Sequence, residues 1–289
     1  MLPQSVSEHY RAQQRLTVRT VAAIRSEWSR MDSDFDSSWR RIGPRVAALV
    51  TAAQVGAARD GAAYVPQALE EQDLPTETDG TVRPQAFAGS ATILDGLTYG
   101  SLDDLLYGAV IHAKTVSAED LAQRLASGGS KLETLVHTQI SDAARMSAST
   151  TISATRNAGW VRMINPPCCQ RCAVLAGKFF RSNDGFQRHP QCDCRHVPTS
   201  EANWEDVGMT VKPDQIKDLT KAQRQAIADG ADMNQVINSH RAGKRSDDLM
   251  STNEGAKRYS RRLTPEGIYK VSATREEALK RLRDNGYLL

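Results

Sequence analysis

The chain has 289 residues, of which 40% are hydrophobic and 25% are charged, a composition typical of soluble globular proteins. No apolar run approaches the roughly 20 residues that cross a bilayer, and the start Met1-Leu-Pro-Gln-Ser lacks the basic and apolar pattern of a secretory signal. We therefore expect no membrane contact and a cytoplasmic location until the protein joins an assembly. Aromatic residues make up only 6%, which favours closely packed, Ala-rich helices.

The first 71 residues predict a hairpin of two long helices. Apolar residues recur at spacings of three and four from Ser5 to about Met31, and again from Asp34 to about Asp60. The link between them, Asp32-Ser33, is short and polar, as in an antiparallel helical hairpin. The first apolar stripe consists of Val18, Val21, Ala22, Ile24 and Trp28. Such stripes pack either on later helices of the same chain or on another protein.

Residues 72–157 predict an irregular connection followed by helices. From Gln72 to Leu97 the chain has frequent Gly and Pro and no sustained periodicity, and a connection this long is commonly functional or bound to a partner. Helical periodicity returns from Leu102 to Lys114 and again from Ser130 to about Thr155. A short helix between them is predicted to end at Gly128-Gly129, because glycine commonly follows a helix C-terminus.

Residues 158–200 predict a small β-rich module around the cysteines. Three short strand-like runs occur there, separated by turn-forming residues. They are Trp160-Val-Arg-Met-Ile, Lys178-Phe-Phe-Arg and Arg195-His-Val. The predicted fold class is therefore mainly α with a small zinc-binding β-rich module (α+β).

Residues 201–289 predict C-terminal helices with a basic arm. Two capping boxes, Thr220 with Gln223 and Thr274 with Glu277, mark helix starts. The stretch from Gly243 to Arg262 is charged and poor in apolar residues, which is typical of a flexible arm. Its basic residues are Lys244, Arg245, Lys257, Arg258, Arg261 and Arg262. Such an arm follows a phosphate backbone, contacts an acidic protein partner or is an ordinary solvated surface.

All five cysteines lie between Cys168 and Cys194, which favours a metal site over a disulfide scaffold, because disulfides join distant segments in oxidising compartments. Tetrahedral zinc takes four nitrogen or sulfur ligands, usually as two pairs from different turns. We predict one structural zinc held by Cys169, Cys172 and two further ligands. The candidates for those two are His189, Cys192 and Cys194.

Several alternatives to this zinc site stay open or fail on the residues. Packed thiols without a metal remain possible, and His189 has the alternative of bonding a backbone carbonyl. Cys168 is left out because it adjoins Cys169 and would point to the opposite side. His196 is interpreted as a surface or outer residue. The deaminase pattern, with Glu two residues after a ligand His, fails because Pro-Gln follows His189.

No catalytic constellation is apparent in the sequence. Gly-x-Ser-x-Gly, a phosphate-binding Gly-rich loop and His-Glu-x-x-His are all missing. His112 and His137 lie on predicted helices, where a hydrogen-bonded core histidine or a surface histidine is the simpler interpretation. A thioredoxin-type redox site needs a βαβ unit around the cysteine pair, but Asn165-Pro-Pro precedes the pair and Gly177-Lys-Phe-Phe follows it closely, so this interpretation is poor.

The cysteine region carries three further motifs: Gly159-Trp-Val-Arg-Met-Ile-Asn-Pro-Pro, Leu175-Ala-Gly-Lys-Phe-Phe and Gly185-Phe-Gln-Arg-His-Pro-Gln-Cys-Asp-Cys. Together with the cysteine pair, they resemble the Mu F-like (MuF) minor head proteins of tailed bacteriophages. The actinobacteriophage version is the most similar. Counterparts of its other segments are Pro84-Gln-Ala-Phe-Ala-Gly, Leu102-Asp-Asp-Leu-Leu-Tyr and the closing Ile268 to Tyr287. Cys168 departs from the family pattern, which supports leaving it out of the site.

The resemblance implies a minor structural protein of the phage head that acts in procapsid assembly or DNA packaging. Its implied partners are the portal, major capsid and scaffold proteins, and packaged DNA is a further candidate for the basic arm. The implied location is the head interior of the virion. Some relatives in this genomic position are labelled capsid maturation proteases. A head-maturation protease is therefore the alternative function, although no residues of this chain match a catalytic motif.

Overall fold

The protein is described by a computed structural model for residues 2–93, 98–117, 120–181, 189–207, 211–239, 251–252 and 262–288. The chain divides into two compact units. The first comprises Met1–Met163 and Gly177–Gly208, and the second comprises Ile164–Ala176 and Met209–Leu289. The described residues are mainly helical, with one three-stranded and two two-stranded sheets. The prediction of a mainly α fold is thus confirmed. Within the described ranges, no helix has the length and apolar character needed to span a membrane.

Four long helices build the first unit. They are α1 (Gln4–Trp28), α2 (Phe35–Glu70), α3 (Leu102–Thr115) and α4 (Leu121–Ala154). Their shared core is aliphatic and Ala-rich, and it includes Ile42, Val46, Val50, Leu106, Val110, Leu132, Val136 and Ile140. The apolar face of α2 therefore packs on later helices of the same chain, which is one of the two alternatives left open by the sequence.

Helix α1 buries only part of the predicted stripe, including Ile24 and Trp28. Val18 is 66% exposed, whereas the buried face of α1 is largely polar. Its buried residues are Ser5, Val6, His9, Gln13, Thr17, Thr20, Ile24 and Trp28. The facing side of α2 explains the difference, because the Asp60 carboxylate lies 2.6 Å from His9 Nδ1 and accepts a hydrogen bond from Gln13 Nε2 at 2.9 Å. Buried polar groups are stable where they find such partners.

Two predicted helix ends were wrong, each because of packing against other parts of the fold. Helix α2 continues past Asp60 to Glu70, because Tyr64, Val65, Ala68 and Leu69 extend its buried face. Helix α4 does not stop at Gly128-Gly129 but runs through both residues. A Cβ atom on Gly128 would lie 2.6 Å from Ala113 Cβ and 2.7 Å from Trp28 Cζ2. This glycine permits close helix packing there and does not end a helix.

The predicted irregular segment contains a β-hairpin that the sequence reasoning missed. Strand β1 (Ser90–Ile93) pairs antiparallel with β2 (Thr98–Ser101), directly before α3. A 3₁₀ turn at Pro84–Phe87 precedes this hairpin. The first half of the chain is therefore not entirely helical.

The three predicted strand-like runs form one antiparallel sheet in the first unit. Strand β3 (Ala158–Met163) lies between β4 (Phe179–Arg181) and β5 (Arg195–Ser200), and helix α6 (Trp204–Val207) follows β5. Trp160 is buried at the centre, stacked on Phe180 with ring centroids 4.3 Å apart. The prediction of short strands around the cysteines is confirmed.

The second unit consists of short helices and one short strand pair. The helices are α5 (Gln170–Leu175), α7 (Lys221–Ala228), α8 (Met233–Asn238), α9 (Pro265–Val271) and α10 (Arg275–Asp284). Strand β6 (Ser251–Thr252) pairs with β7 (Arg262–Leu263). The capping box of Thr220 and Gln223 is present, whereas the Glu277 carboxylate accepts from the Ala273 amide instead of closing a box with Thr274. Apart from the backbone of Arg262, the basic-arm residues lie outside the described ranges.

Candidate metal centre

The first cysteine pair is positioned by a helix start in the second unit. Cys169 is the N-cap of α5, and its Sγ accepts a hydrogen bond from the Cys172 amide at 3.4 Å. The two cysteines thus flank the first turn, as the predicted spacing requires. Cys172 is 4% exposed and Cys169 is half-buried. Helix α5 follows an antiparallel strand, so the pair lacks the βαβ setting of a thioredoxin-type site.

Cys168 is held by backbone pairing next to this helix start. Its amide donates to the Gln215 carbonyl at 2.9 Å, and its carbonyl accepts from the Lys217 amide at 2.8 Å. These bonds fix the chain immediately before the Cys169 N-cap. The thiol of Cys168 is buried and belongs to neither of the possible metal-binding groups found among the described residues.

The second ligand segment, residues 189–194 of the first unit, is tied to helix α4. The Gln191 amide donates to Thr138 Oγ1 at 3.1 Å, and the Gln191 side chain donates to Thr134 Oγ1 at 2.8 Å. Gln191 has a φ of 58°, a left-handed conformation that such local bonds help to hold. Cys192 and Cys194 are each 3% exposed. Their place in the structure is therefore set mainly by hydrogen bonds to α4.

A buried arginine on α4 contacts both cysteine carbonyls. Arg145 Nε donates to the Cys194 carbonyl at 3.0 Å, and Nη2 donates to the Cys192 carbonyl. Its Nη1 donates to Asp142 Oδ1 at 2.9 Å. Sequence reasoning missed this residue, but a signal existed. Asp142 and Arg145 are the only Asp, Glu, Lys or Arg residues between Glu133 and Arg156, and they are spaced to meet on one helix face.

A second buried arginine adds positive charge beside the same segment. Arg195 Nη1 donates to the Cys194 carbonyl at 3.1 Å. Burial and the repulsion of Arg145 lower the pKa of Arg195 to about 10, while Asp193 and Cys192 partly offset this. The Asp193 carboxylate accepts a hydrogen bond from Tyr10 Oη at 2.9 Å. The two buried guanidiniums therefore favour negative charge near Cys192 and Cys194, as thiolate ligands would carry.

The predicted ligand residues occur in two groups that can each hold a metal ion. The ligand atoms of Cys169, Cys172 and His189 lie within 4.8 Å of one another, and so do those of Cys172, Cys192 and Cys194. Sulfur ligands of a tetrahedral zinc ion lie roughly 3.8 Å apart when each bond is about 2.3 Å. The donor set therefore fits zinc, and Cys172 belongs to both groups.

The two histidines near the cluster have different environments. His189 Nδ1 lies 2.8 Å from the Pro190 carbonyl oxygen. A carbonyl only accepts, so Nδ1 carries the proton in this contact and Nε2 of the neutral ring presents its lone pair. His196 is buried edge-on against Trp160, with ring centroids 4.5 Å apart. Of the two interpretations of His196, as a surface residue or as an outer residue of the site, the surface one is wrong. Burial holds the pKa of His196 well below 6.5.

The described surroundings offer little for a catalytic zinc, which needs an open coordination position and an acid–base group. Two acidic residues lie close to the cysteines in sequence: the Asp193 carboxylate accepts a hydrogen bond from Tyr10, and Asp184 lies outside the described ranges. Of the two helical histidines, His112 Nε2 lies 2.9 Å from Ser127 Oγ. His137 Nδ1 has no hydrogen-bond partner within the described part of the chain, so the interpretation of His137 as a hydrogen-bonded histidine is not supported at that atom.

Comparison of the chain with protein-family models, with curated proteins and with solved structures finds no match in any of the three.

Proposed function

We propose that this protein is a structural component whose cysteine–histidine cluster binds one zinc ion that stabilises the fold. The observation that carries the proposal is the grouping of Cys169, Cys172, His189, Cys192 and Cys194, with ligand atoms within 4.8 Å in each of two groups. Three of the cysteines are almost fully buried, as is usual for structural zinc and unfavourable for a site that must admit substrate. Zinc would neutralise the charge of its thiolate ligands.

The biological role we propose is a minor structural protein of a tailed-phage head, acting in procapsid assembly or DNA packaging. Its support is the resemblance of the cysteine module and its flanking motifs to MuF minor head proteins. In this role the partners are the portal, the major capsid protein or the scaffold, and the protein is placed in the head interior. A buried structural zinc suits an assembly protein, since it stabilises a small β-rich module without any catalytic group.

Metal content tests the zinc proposal. Protein purified under reducing conditions is expected to contain about one zinc per chain by elemental analysis, because four tetrahedral ligand places accommodate one ion. Removal by a chelator is expected to loosen the cysteine module while most helical circular dichroism persists, since the α1–α4 core is apolar. If removal of the metal by the chelator left the thermal unfolding transition unchanged, the proposal would be contradicted.

Co-expression tests the head role against the protease alternative. The chain is co-expressed with the portal, shell and scaffold proteins of the phage that encodes it. An assembly protein is expected to enter heads while every chain keeps its full length, whereas a maturation protease would cleave one of them. Heads that form normally and exclude the protein would overturn the assembly role, whatever its zinc content.

A further inference from the structure

We infer that Arg145 is the residue that pre-forms the Cys192–Cys194 part of the metal site, so that these ligands are in place before a metal arrives. The inference rests on the proposed zinc site and adds a positioning residue to it. Arg145 itself is not a ligand. It acts through the backbone carbonyls of the two cysteines, both of which accept hydrogen bonds from its guanidinium.

The geometry of Arg145 gives each of three nitrogens one partner. Nε is directed to the Cys194 carbonyl, Nη2 to the Cys192 carbonyl and Nη1 to Asp142. A guanidinium is planar and presents its donors in a rigid fork, so fixing it at Asp142 also fixes the two carbonyl positions. The alternating Cys-x-Cys spacing places both carbonyls within reach of one such fork.

Burial makes this contact more than an ordinary surface bond. The side chains of Arg145 and Asp142 are 4% and 3% exposed, and the pair lies one helical turn apart on α4. Burying a charged pair is costly unless its donors are satisfied, so the cysteine carbonyls and the arginine require each other. Segment 189–194 is in neither a helix nor a strand. The hydrogen bonds from Arg145 therefore fix its backbone at Cys192 and Cys194.

The charge of Arg145 also suits the ligands that it positions. Thiolates bound to zinc leave net negative charge on the cluster, and two buried guanidiniums, those of Arg145 and Arg195, lie at the same backbone segment. Hydrogen bonds from outer residues typically change metal affinity 10- to 100-fold. Arg145 is expected to act in this range, since it fixes the orientation of two ligand residues at once.

The experiment compares zinc affinity in full-length variants by competition with a chromophoric chelator. Arg145→Lys keeps the charge but cannot reach three acceptors, and it is expected to weaken zinc binding about 10- to 100-fold. Arg25→Gln is the matched control, because Arg25 makes a bidentate bond to Glu133 on the exposed surface of the same unit. Its zinc affinity is expected to equal that of the unmodified protein.

A second variant keeps the test decisive if Arg145→Lys fails to fold. The double variant Asp142→Asn with Arg145→Met removes both buried charges and leaves no carboxylate unpaired. Helical circular dichroism should persist, while the backbone amides of His189 and residues 191–194 in the metal-free protein should exchange hydrogen faster than in the unmodified chain. Unchanged exchange and unchanged zinc affinity would overturn the role of Arg145. Absence of zinc from the unmodified protein would instead overturn the zinc site itself.

Discussion

The α1–α4 core and the 189–194 segment lie in the same unit but are held by different forces. The core buries a continuous set of aliphatic and Ala side chains from α2, α3 and α4, so apolar burial stabilises it. The 189–194 segment instead relies on Thr134, Thr138 and Arg145, which bond its backbone or side chains from α4. Each hydrogen bond stabilises the folded state by only about 1 kcal/mol, because it replaces hydrogen bonds to water.

This difference indicates which region of the protein the proposed zinc ion would stabilise. We expect this helix core to fold without a bound ion, because its stability comes from the apolar area that it buries. A segment with buried cysteines and charged arginines would gain more from the proposed zinc ion, because structural zinc binds with roughly 10 kcal/mol or more of free energy. Helix α4 connects both regions, with apolar side chains such as Leu132 in the first and Arg145 in the second.

The largest effect is expected from Cys172→Ser. Cys172 belongs to both groups of ligand atoms, and serine is a poor zinc ligand, so the zinc content should fall from about one per chain to near zero. The cysteine module should become sensitive to proteolysis, while helical circular dichroism changes little. Elemental analysis and limited proteolysis measure the two outcomes.

Cys168→Ser is the matched control for that loss. It removes a buried thiol of the same segment whose backbone bonds to Gln215 and Lys217 remain. Full zinc content is expected, with at most a mild loss of stability. If Cys168→Ser lost zinc and Cys172→Ser kept it, the ligand assignment would be wrong.

A substitution in the helix core should lower the stability of the fold. At Gly61 of α2, an added Cβ would lie 2.4 Å from the Ala144 carbonyl oxygen of α4, so Gly61→Ala forces the two backbones apart. The expected loss is about 1–3 kcal/mol of unfolding free energy. Gly108→Ala on α3 meets nothing within 4 Å and should gain up to about 1 kcal/mol through helix propensity. Chemical denaturation followed by circular dichroism compares the pair.

The smallest expected effect is the pH dependence of stability that arises from His9 of α1, which contacts Asp60 of α2. Burial lowers the pKa of His9 below 6.5, which the hydrogen bond and charge of Asp60 partly offset, while Arg195 lowers it further. The unfolded chain then takes up a proton more readily than the folded chain. Stability from this group is therefore present above pH 6.5 and is lost as the pH falls below it.

His9→Gln tests that dependence by thermal unfolding between pH 7.5 and pH 5. The unmodified protein should lose stability over this range, and the variant should lose less. Some slope should remain, because burial also lowers the pKa values of His137 and His196. Asp60 has a lowered pKa as well, since its bonds to His9 and Gln13 outweigh its burial, but its contribution is lost only below pH 3.8. An identical slope in both proteins would show that His9 does not titrate differently on folding.

Local patterns determined much of the fold because they act over a few residues. The periodicity from Ser5 and from Asp34 predicts α1 and α2, and Asp34 caps α2 through the Ser37 amide. The strand-like runs at Trp160, Phe179 and Arg195 lie in β3, β4 and β5. The Cys-x-x-Cys spacing and the later cysteines indicated a possible metal site, since ligand spacing reflects local turns.

Tertiary contacts decided what local patterns leave undetermined. Glycine at position 128 is a typical signal for a helix end, yet α4 continues through it. The absence of a side chain there leaves room for Trp28 and Ala113. The inward face of α1 is chosen by Asp60 of α2, so Val18 is exposed and His9 is buried. Arg145 contacts carbonyls 47 and 49 residues away in sequence. Helix periodicity cannot show such partners, because a buried charge is stable only where the folded chain brings its acceptors to it.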